Sequence, residues 1–580
     1  MSLLRPFVGF DVTLRSRTRL VADAVVLVAV AVVFWLLLQL AHGVDAPFNR
    51  VSAPSSVSTD PANLPYYALR SLARMFAALT ISVVFTFVYA TAAARSRRAE
   101  MILLPILDVL QSVPVLGFLS VTLTLWLTLF PRTVLGVECA SVFAIFTSQA
   151  WNMTFAFYQS LTTQSRDLDE AARLLRLTKW QRFWKLDVPS GMTPLVWNGM
   201  MSFGGGWFFL IASEVISVNN HTYALPGIGS YVAAASEHRQ VGRLLLAIGV
   251  MIVMVVGVNV LFWRPLTAWA ERFRTGDTAS AQVQRSLVLD LLRHSALPTL
   301  VGRGLRPAGH ALDRAMRPFG LADSPLRVNP YRRRAGDIAF TTVVLALIGF
   351  GTWKMLVSID HGTGLGEFGH AALLGLATFA RVLVLLVIGS LVWVPVGVWI
   401  GMNPRVTRYA QPIVQVLASF PANFLFPFVT LALIHTGISL NIGGILLMAL
   451  GAQWYILFNV IAGAAAIPND LREAAASLRL GRSLRWRTLI VPAIFASWVT
   501  GGITAAGGAW NASIVAEVVS YGGHDLTAYG LGAYITHATT DGNFAQTLVG
   551  VIVMSLYVVG LNRIFWRRLY RIAETRYSLI

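Results

Sequence analysis

The sequence predicts an all-α polytopic membrane protein with about 12 transmembrane helices, built as two homologous six-helix units that face the same way. Three observations predict this fold class: an apolar composition, apolar runs of membrane-spanning length, and an internal repeat. Hydrophobic residues make up 56% of the 580 residues, and charged residues only 13%. Since about a quarter of the residues of a soluble domain are charged, lipid must cover much of this chain.

The apolar runs are about 20 residues long, which is enough for a helix to cross the hydrocarbon core of a bilayer. In the first unit the predicted spans lie near 21–40, 68–93, 101–128, 134–158, 193–218 and 242–264. In the second unit they lie near 338–357, 371–401, 409–434, 441–464, 494–519 and 545–566. The lipid bilayer is therefore the first partner that the sequence indicates.

The net charge of +19 follows the predicted topology. Basic residues cluster at both ends of the chain and at 95–98, 167–187, 264–336 and 470–487. The intervening loops at 41–65, 219–238, 358–370 and 520–543 are nearly free of them. This alternation is the positive-inside pattern, and it predicts that both termini are cytoplasmic. The charge needs no nucleic-acid partner to explain it.

A nearly constant offset relates the two units. An offset of 303 residues pairs Trp151 with Trp454, Asp167 with Asp470, Pro189 with Pro492, Trp207 with Trp510 and Glu214 with Glu517. Upstream the offset is 307, which pairs Arg74 with Arg381. We therefore divide the chain into a first unit at 1–267, an arginine-rich cytoplasmic linker at 268–334 and a second unit at 335–580. The linker is interpreted as a tether that lets both units pair within one chain.

A polar, amphipathic loop follows the fourth predicted span of each unit, at 165–190 and at 468–493. Asp167 with Glu170, and Asp470 with Glu473, have the spacing of a capping box, so a short helix is expected to begin at each aspartate. Helical spacing then predicts one apolar stripe in each helix. These stripes consist of Leu168, Ala172 and Leu175, and of Leu471, Ala475 and Leu478. Pro189 and Pro492 are expected to end the loops.

A helix of about three turns is not stable alone in water and must lie against another surface. The residues alone leave two alternatives open. Each helix either rests on the spans of its own unit, or a partner protein grips one helix from each unit.

The two loops resemble the coupling loop of permeases in binding-protein-dependent ABC importers. Glu170-Ala171-Ala172 is followed by Val188-Pro189, and Glu473-Ala474-Ala475 by Val491-Pro492. The resemblance implies the type I ABC importer permease fold, with each short helix docked in a groove of one subunit of a cytoplasmic ABC ATPase homodimer. It also implies an extracytoplasmic solute-binding protein, alternating access, and a multi-pass location in the bacterial inner membrane. The coupling residues that it implies are Asp167, Glu170, Ala171, Ala172, Leu175, Arg176, Asp470, Glu473, Ala474, Ala475, Leu478 and Arg479.

One position departs from the family pattern in both loops. The family usually has glycine six residues after the glutamate, whereas this chain has Arg176 and Arg479. Because arginine favours a continuing helix where glycine would bend it, we expect a longer coupling helix or a different docking angle.

The sequence contains no standard ATP site. A P-loop requires lysine between glycine and serine or threonine, and each of the three lysines, Lys179, Lys185 and Lys354, follows threonine or tryptophan. We therefore predict a permease subunit that is not itself an enzyme and holds no cofactor, with ATP and Mg on the partner ATPase. The sequence also shows no catalytic constellation and no metal-ligand spacing.

In each unit a tryptophan precedes a glutamate by seven residues, and Gly-x-Gly follows. This order resembles permeases of the nitrate, sulfonate and taurine branch, which implies a small anion of that kind as cargo. The residues that we assign to the translocation pathway or its gate are Trp207, Glu214, Trp510, Asn511, Ser513 and Glu517.

These assignments have plainer alternatives. Glu214 and Glu517 either shape a gate, or hold an arginine or backbone donors in place, or simply reach the outer interface. The two tryptophans either line the pathway or pack at an interface. Arg74 and Arg381 are either anion attractors or interfacial anchors.

Two other functions remain open at this level. An ion-coupled secondary transporter can also consist of two parallel six-span repeats, but it would need no docking helices. The sequence contains no acid, base or metal cluster that would support a membrane-embedded enzyme or scaffold. The duplicated loops favour the importer.

Overall fold

The computed structural model describes residues 23–28, 56–112, 115–131, 133–218, 221–273, 287–295, 303–304, 306–315 and 330–576. Within these residues eight helices are long and apolar enough to cross a membrane, or nine if one bent pair is a single span. The described strands are four short segments in two hairpins. These findings confirm the all-α polytopic fold class. Most of the predicted span at 21–40 and of the linker at 268–334 lies outside the described residues.

From residue 56 onward, the described part of the first unit contains eight helices. Its helices are α1 (Leu64–Arg95), α2 (Arg97–Ser112), α3 (Leu119–Leu129), α4 (Leu135–Thr162), α5 (Arg166–Leu174), α6 (Lys179–Glu214), α7 (Ile228–Glu237) and α8 (Val241–Phe273). An antiparallel hairpin of β1 (Val215–Val218) and β2 (His221–Ala224) joins α6 to α7. The linker region contributes α9 (Leu287–His294) and α10 (Arg306–Ala315).

The second unit repeats this order. Its helices are α11 (Pro330–Gly362), α12 (Glu367–Gly401), α13 (Pro404–Ser419), α14 (Phe426–Thr436), α15 (Leu440–Ala465), α16 (Asn469–Ser477), α17 (Arg482–Ala516), α18 (Leu531–Thr540) and α19 (Phe544–Ala573, continuing to Arg576). The second hairpin is β3 (Val518–Tyr521) with β4 (His524–Thr527), again antiparallel. The helices α12, α15, α16 and α17 therefore correspond to α1, α4, α5 and α6.

The predicted third span is not one straight helix. In the second unit α13 and the segment from Ala422 to the end of α14 are bent by 79° relative to each other. The break falls at Phe420 and Pro421, both of which are extended. Proline disfavours helical backbone in the residue before it and cannot donate a helical hydrogen bond, so the helix stops here. The span predicted near 409–434 is thus two helices joined at an angle.

Three long helices form the interior of each unit, α1, α4 and α6 in the first and α12, α15 and α17 in the second. Glycines allow these helices to approach closely. A Cβ on Gly191 of α6 would overlap the ring of Phe157 on α4. A Cβ on Gly501 of α17 would lie 2.8 Å from the carbonyl oxygen of Tyr455 on α15. Larger residues at these glycines would push the helices apart.

The fifth span of each unit starts earlier than the sequence indicates. Pro189 and Pro492 lie inside α6 and α17, each just after a π-helical turn at Phe183–Asp187 or Trp486–Ile490. The expectation that these prolines end the loops is therefore wrong. A proline lacks the N–H of a regular helical turn, and a π turn next to it changes the hydrogen-bond pattern without ending the helix.

The two units pack directly against each other. Asn423, in the turn before α14, donates from Nδ2 to the carbonyl oxygen of Phe208 on α6 over 3.1 Å. At the hairpin ends, Tyr521 is 5% exposed and packs in the core of the first unit. Nearby, Nη2 of Arg239 donates to the carbonyl oxygen of Gly522 over 2.7 Å. The two units are thus joined both at the turn before α14 and at the ends of the hairpins.

Candidate functional site

Two short helices, α5 and α16, connect α4 to α6 in the first unit and α15 to α17 in the second; we call them the coupling helices. Each packs through one alanine, because Ala172 and Ala475 are 4% and 6% exposed. The leucines at their carboxyl ends, Leu175 and Leu478, are 71% and 72% exposed. The predicted apolar stripe therefore contacts the protein only at its centre, and its end faces outward.

The predicted capping boxes are absent from the starts of both coupling helices. The residues preceding them are Ser165 and Pro468, and neither makes a side-chain cap. Asp167 and Asp470 thus lie within the first turn, where a carboxylate still interacts favourably with the helix dipole. The prediction was wrong because each helix begins before the aspartate.

A capping box does occur at the next helix start, that of α6. Gln181 donates from its backbone N–H to Oγ1 of Thr178 over 3.2 Å, and Thr178 donates from its N–H to Oε1 of Gln181 over 3.3 Å. This box satisfies two backbone donors at the beginning of the span. It shortens the irregular part of the predicted loop to the turn between α5 and α6.

The carboxyl ends of the coupling helices correct the expectation of a longer helix. Arg176 and Arg479 both have φ of +47°, which is left-handed backbone. In the first unit Arg176 donates from its N–H to the carbonyl of Arg173, and Leu177 donates to that of Ala172. This pair of bonds is the Schellman motif. Residues 475–480 form the same pair.

The coupling helices therefore end where a glycine would end them. Outside glycine, left-handed backbone costs about 1–2 kcal/mol for each residue. The Schellman hydrogen bonds satisfy the final carbonyl groups and hold the two arginines in this conformation.

Different side chains anchor the two coupling helices. In the first unit Asp169 of α5 forms an ion pair with the buried Arg182 of α6, which also lies 3.7 Å from Asp187. In the second unit Arg472 of α16 donates from Nη2 to the carbonyl oxygen of Ala464 over 2.7 Å. That carbonyl belongs to the last turn of α15, where a cation interacts favourably with the helix end.

A buried ion-pair cluster lies at the other end of α6, and its centre is Arg74 of α1. Nη1 of Arg74 lies 2.7 Å from Oε1 of Glu214, and Nε lies 2.5 Å from Oε2 of Glu138 on α4. Arg70 adds a second contact to Glu138, also at 2.5 Å. Glu214 is fully buried. Two arginines thus balance two carboxylates, as buried charges require.

The second unit has a corresponding cluster with one arginine and one carboxylate in place of two of each. Nη1 of Arg381 lies 2.7 Å from Oε1 of Glu517, which is also fully buried. Asn441 takes the place of Glu138 and accepts from Nη2 of Arg381 over 2.8 Å. Ala377 stands at the position that corresponds to Arg70. An arginine and a carboxylate are exchanged together for neutral residues, so both clusters remain balanced.

The same carboxylates hold the beginnings of α7 and α18. Oε2 of Glu214 accepts from the N–H of Gly229 over 2.6 Å, and Oε2 of Glu517 accepts from that of Ala533 over 3.1 Å. A hydroxyl beside each carboxylate, that of Ser71 or Thr378, accepts from one further backbone N–H. Each cluster therefore ties the second and fifth predicted spans to the short helix that follows.

The Gly-x-Gly sequence makes room for this arrangement. A Cβ on Gly227 would overlap the carboxylate of Glu214, and a Cβ on Gly530 would overlap that of Glu517. A Cβ on Gly229 would lie 2.8 Å from the carbonyl oxygen of Ile211. Glycine is thus required at Gly227 and Gly530 because the backbone there lies close to the buried carboxylates.

These positions decide between some of the open alternatives. Glu214 and Glu517 do not reach an outer interface, because they are fully buried and hold an arginine and backbone donors. Arg74 and Arg381 are 3% and 6% exposed, which does not suit an interfacial anchor. A role of either acid in gating stays a prediction.

The two tryptophans are packed inside the protein. Trp207 and Trp510 are each 1% exposed. Trp207 meets the ring of Phe203 edge to face at 5.6 Å, and Trp510 forms a three-ring cluster with Phe379 and Tyr557, at 6.4 and 5.8 Å from them. Trp207 also lines a small cleft together with Gly204, Gln415 and Ser419.

The polar groups assigned to the second unit bond to their own helix. Nδ2 of Asn511 donates to the carbonyl oxygen of Gly507 over 3.2 Å. Oγ of Ser513 donates to that of Trp510 over 2.8 Å, and Ser513 is fully buried. Both side chains therefore satisfy α17 itself, and their role in a pathway stays a prediction.

Several residues of the site escaped sequence analysis. Ser71 with Thr378 follows the offset of 307, and Glu138 with Asn441 follows the offset of 303, so the repeat contained a signal for both pairs. Tyr455 of α15, whose hydroxyl would lie 3.2 Å from a Cβ on Gly205 of α6, has no such signal, because its counterpart is Asn152.

No metal centre accompanies these clusters in the described part of the chain, where no three His, Cys, Asp or Glu side chains are grouped as metal ligands.

Comparison with known proteins finds one family twice. The family described as binding-protein-dependent transport system inner membrane component matches residues 78–265 and 393–578. The nitrate import permease protein NrtB of Leptolyngbya laminosa is 27% identical over 214 residues, 36% of this chain and 72% of that protein. The same protein of a Synechocystis species is 27% identical over 202 residues, 35% of this chain and 65% of its own length.

A bicarbonate transport relative is similar to the same extent. The permease protein CmpB of Synechococcus elongatus is 26% identical over 185 residues, 32% of this chain and 62% of that protein. Each relative thus aligns with about a third of the chain. The double family match confirms that two units of one type are fused in tandem.

Proposed function

This chain belongs to the family of binding-protein-dependent transport system inner membrane components, and from this membership we propose that it is the fused transmembrane subunit of an ATP-driven importer. A solute-binding protein delivers the cargo to the outer face. A homodimer of a separate ATPase binds the cytoplasmic face and drives alternating access. One chain provides both halves of the translocation pathway.

The observation that carries this proposal is the duplicated coupling helix. Each helix has nine residues, which is too short for stability in isolation. Each is held by one buried alanine and one polar anchor, and each leaves apolar side chains outside. Leu174, Leu175 and Leu478 are 84%, 71% and 72% exposed. Exposed apolar side chains at the end of a helix suit the groove of a partner protein.

The two helices give the complex its stoichiometry. Each coupling helix engages one ATPase subunit through the exposed residues Glu170 and Ala171, or Glu473 and Ala474, and through the leucine and arginine that end it. Closure of the ATPase dimer then moves both helices at once. ATP and Mg belong to the ATPase, because the sequence of this chain has no Gly-Lys-Ser or Gly-Lys-Thr.

The orientation follows from the arginines. The coupling helix α5 and the short helix α7 lie at opposite ends of α6, whose 36 residues span about 54 Å at 1.5 Å for each residue. The arginine-rich segments lie on the side of α5, so we assign that side to the cytoplasm, with both termini, in a bacterial inner membrane. The helices α7 and α18 then lie on the outer side.

The pathway runs between α6 and α17, where their glycines face Tyr455. A Cβ on Gly205 of α6 would lie 3.2 Å from the hydroxyl of Tyr455, and one on Gly508 of α17 would lie 3.4 Å from its ring. A Cβ on Gly507 would meet nothing within 4 Å. Tyr455 thus supplies a hydroxyl at the meeting point of both units.

The cargo is a small oxyanion. The similar permeases are named for nitrate and bicarbonate import, and the sequence order of tryptophan, glutamate and Gly-x-Gly adds sulfonate and taurine as candidates. A hydroxyl and backbone N–H groups are suitable ligands for such anions, whereas the buried acids of this chain are already committed to arginine. Selectivity between these anions belongs mainly to the solute-binding protein.

Substitution of the exposed alanines tests the proposal. Ala171 and Ala474 are exposed, so Ala171→Asp with Ala474→Asp should leave the fold intact while it abolishes ATPase binding and ATP-driven uptake. Ala233→Asp, on an exposed face of α7 at the other end of α6, is the matched control and should change neither. Unchanged uptake and ATPase association in the double variant would contradict the assignment. Uptake that needs an ion gradient and no ATPase would support the secondary transporter instead.

A further inference from the structure

The ends of the coupling helices contain an unusual backbone conformation. In the described residues only three residues other than glycine have positive φ, and all three are arginine: Arg176, Arg239 and Arg479. Two of them occupy corresponding positions in the two units and have the same φ of +47°. Glycine adopts this conformation without a steric penalty and arginine does not. The Schellman hydrogen bonds hold each arginine in this conformation, but glycine would accept the same bonds without the penalty, so we expect the arginine side chain to make an interaction of its own.

Within the described residues neither side chain makes such an interaction. Both side chains are exposed. Among the residues that the structure describes, no carboxylate lies within ion-pair distance of either guanidinium. The immediate neighbours are the exposed leucines Leu175 and Leu478 and the exposed cations Lys179 and Arg482. Each coupling helix thus ends in a guanidinium that projects from an apolar and basic tip.

We propose that Arg176 and Arg479 form ion pairs with carboxylates in the ATPase groove that receives each coupling helix, a proposal that rests on the function proposed above. The left-handed backbone sets the direction in which the Cα–Cβ bond of each arginine leaves the helix. A planar guanidinium binds a carboxylate through two parallel hydrogen bonds. The leucine beside it fills the apolar part of the same groove. The partner surface therefore combines an apolar pocket with an acidic rim.

The charges of the coupling helices favour a protein over a lipid surface. The first turns contain exposed carboxylates, those of Asp167 and Glu170 in the first unit and of Asp470 and Glu473 in the second. An anionic membrane surface attracts basic residues and repels these acids. A protein groove accommodates both signs along one helix.

The test compares the chain with its double variant Arg176→Gly/Arg479→Gly. Each is placed in phosphatidylcholine nanodiscs and titrated with the purified ATPase that is recovered with the unmodified chain. We expect the dissociation constant to rise by about tenfold or more and its salt dependence to weaken, because charge-assisted hydrogen bonds are lost. The melting temperature of the permease alone should stay equal or rise, because glycine relieves the strain. An unchanged dissociation constant with unchanged salt dependence would overturn the proposal.

The third left-handed arginine provides the matched control. Arg239→Gly makes the same chemical change at the end of α7, on the opposite side of the proposed membrane, and should leave ATPase affinity unchanged. Repeating the titration in nanodiscs that contain phosphatidylglycerol tests the lipid alternative. An effect of the double variant that appears only in these anionic discs would assign the arginines to lipid headgroups and overturn the proposal.

A second reference variant separates this proposal from the function on which it rests. If Ala171→Asp with Ala474→Asp abolishes ATPase binding and the arginine variant does not, the coupling helices dock but the arginines do not pair. If both variants bind the ATPase as the unmodified chain does, the docking site itself lies elsewhere. Either result rejects the ion pairs proposed here.

Discussion

Arg74 and Glu214 are joined by an ion pair of 2.7 Å in the interior of the first unit, and Arg381 and Glu517 are joined at the same distance in the second. Each pair connects a long helix to the end of another and to the start of a short helix. Removal of one member of a buried pair leaves an uncompensated charge, which is strongly destabilising. The clusters therefore define how the short helices α7 and α18 are attached to their units.

The difference between the two clusters predicts that Arg70 and Glu138 can be replaced together by neutral residues at little cost in stability. Arg70→Ala or Glu138→Asn alone should lower the free energy of unfolding by about 3–5 kcal/mol, because either change leaves one buried charge unbalanced. The double variant reproduces the residues of the second unit, so it should cost much less than the sum. Melting temperatures of the four proteins in detergent form the double-mutant cycle. Additive effects of the two changes would contradict the charge-balance explanation.

The glycines beside the acids predict a steric effect. Gly530→Ala places a Cβ on the carboxylate of Glu517 and should destabilise the protein by about 1–3 kcal/mol, the range for overpacked sites. Gly507→Ala is the control, since its Cβ meets nothing within 4 Å. That change should be neutral or stabilise the helix by up to about 1 kcal/mol. Equal melting temperatures for the two variants would argue against close packing at Gly530.

Substitutions at Arg239 should separate the effect of its left-handed backbone from that of its hydrogen bond to Gly522. Arg239 has φ of +55° and donates to the carbonyl oxygen of Gly522, whereas its counterpart Gly542 has φ of +72°. Arg239→Gly loses the contact and the strain together, and Arg239→Ala loses only the contact. The alanine variant should be less stable than the glycine variant by about 1–2 kcal/mol. Thermal denaturation of both variants measures this difference, and the reverse order would contradict it.

The anchors of the coupling helices predict different responses in the two units. Asp169→Ala removes the ion pair to Arg182 and should increase hydrogen exchange in α5 alone. Arg472→Ala removes the bond to the carbonyl of Ala464 and should increase exchange in α16 alone. High salt should raise exchange in α5 of the unmodified chain more than in α16, because the carboxylate of Asp169 is partly exposed and salt screens its ion pair with Arg182. Equal salt responses would argue against distinct anchors.

The fold class and the repeat were predictable because both depend on patterns that extend over many residues. Apolar runs of spanning length and a constant offset persist even when individual residues vary, so α12, α15 and α17 could be matched to α1, α4 and α6. The break between α13 and α14 was missed, although Pro421 marked its place. Hydropathy measures the apolar content of a segment and not its direction.

Local details at the coupling helices were less predictable. The capping boxes predicted at Asp167 and Asp470 failed because the helices begin earlier, and helix starts depend on tertiary packing as well as on sequence. Helix propensity indicated that Arg176 and Arg479 would extend the helices, but the Schellman hydrogen bonds outweigh that weak preference. The sequence suggested an arginine as a partner of Glu214 and Glu517 but not which one, since Arg74 and Arg381 come from a distant helix.

The most direct test of the central claim is native mass spectrometry of the complex purified through this chain from its own membrane. We expect one chain with two copies of one ATPase, and one chain without ATPase when Ala171→Asp and Ala474→Asp are introduced together. A chain that purifies alone and still transports solute with an ion gradient would contradict the account.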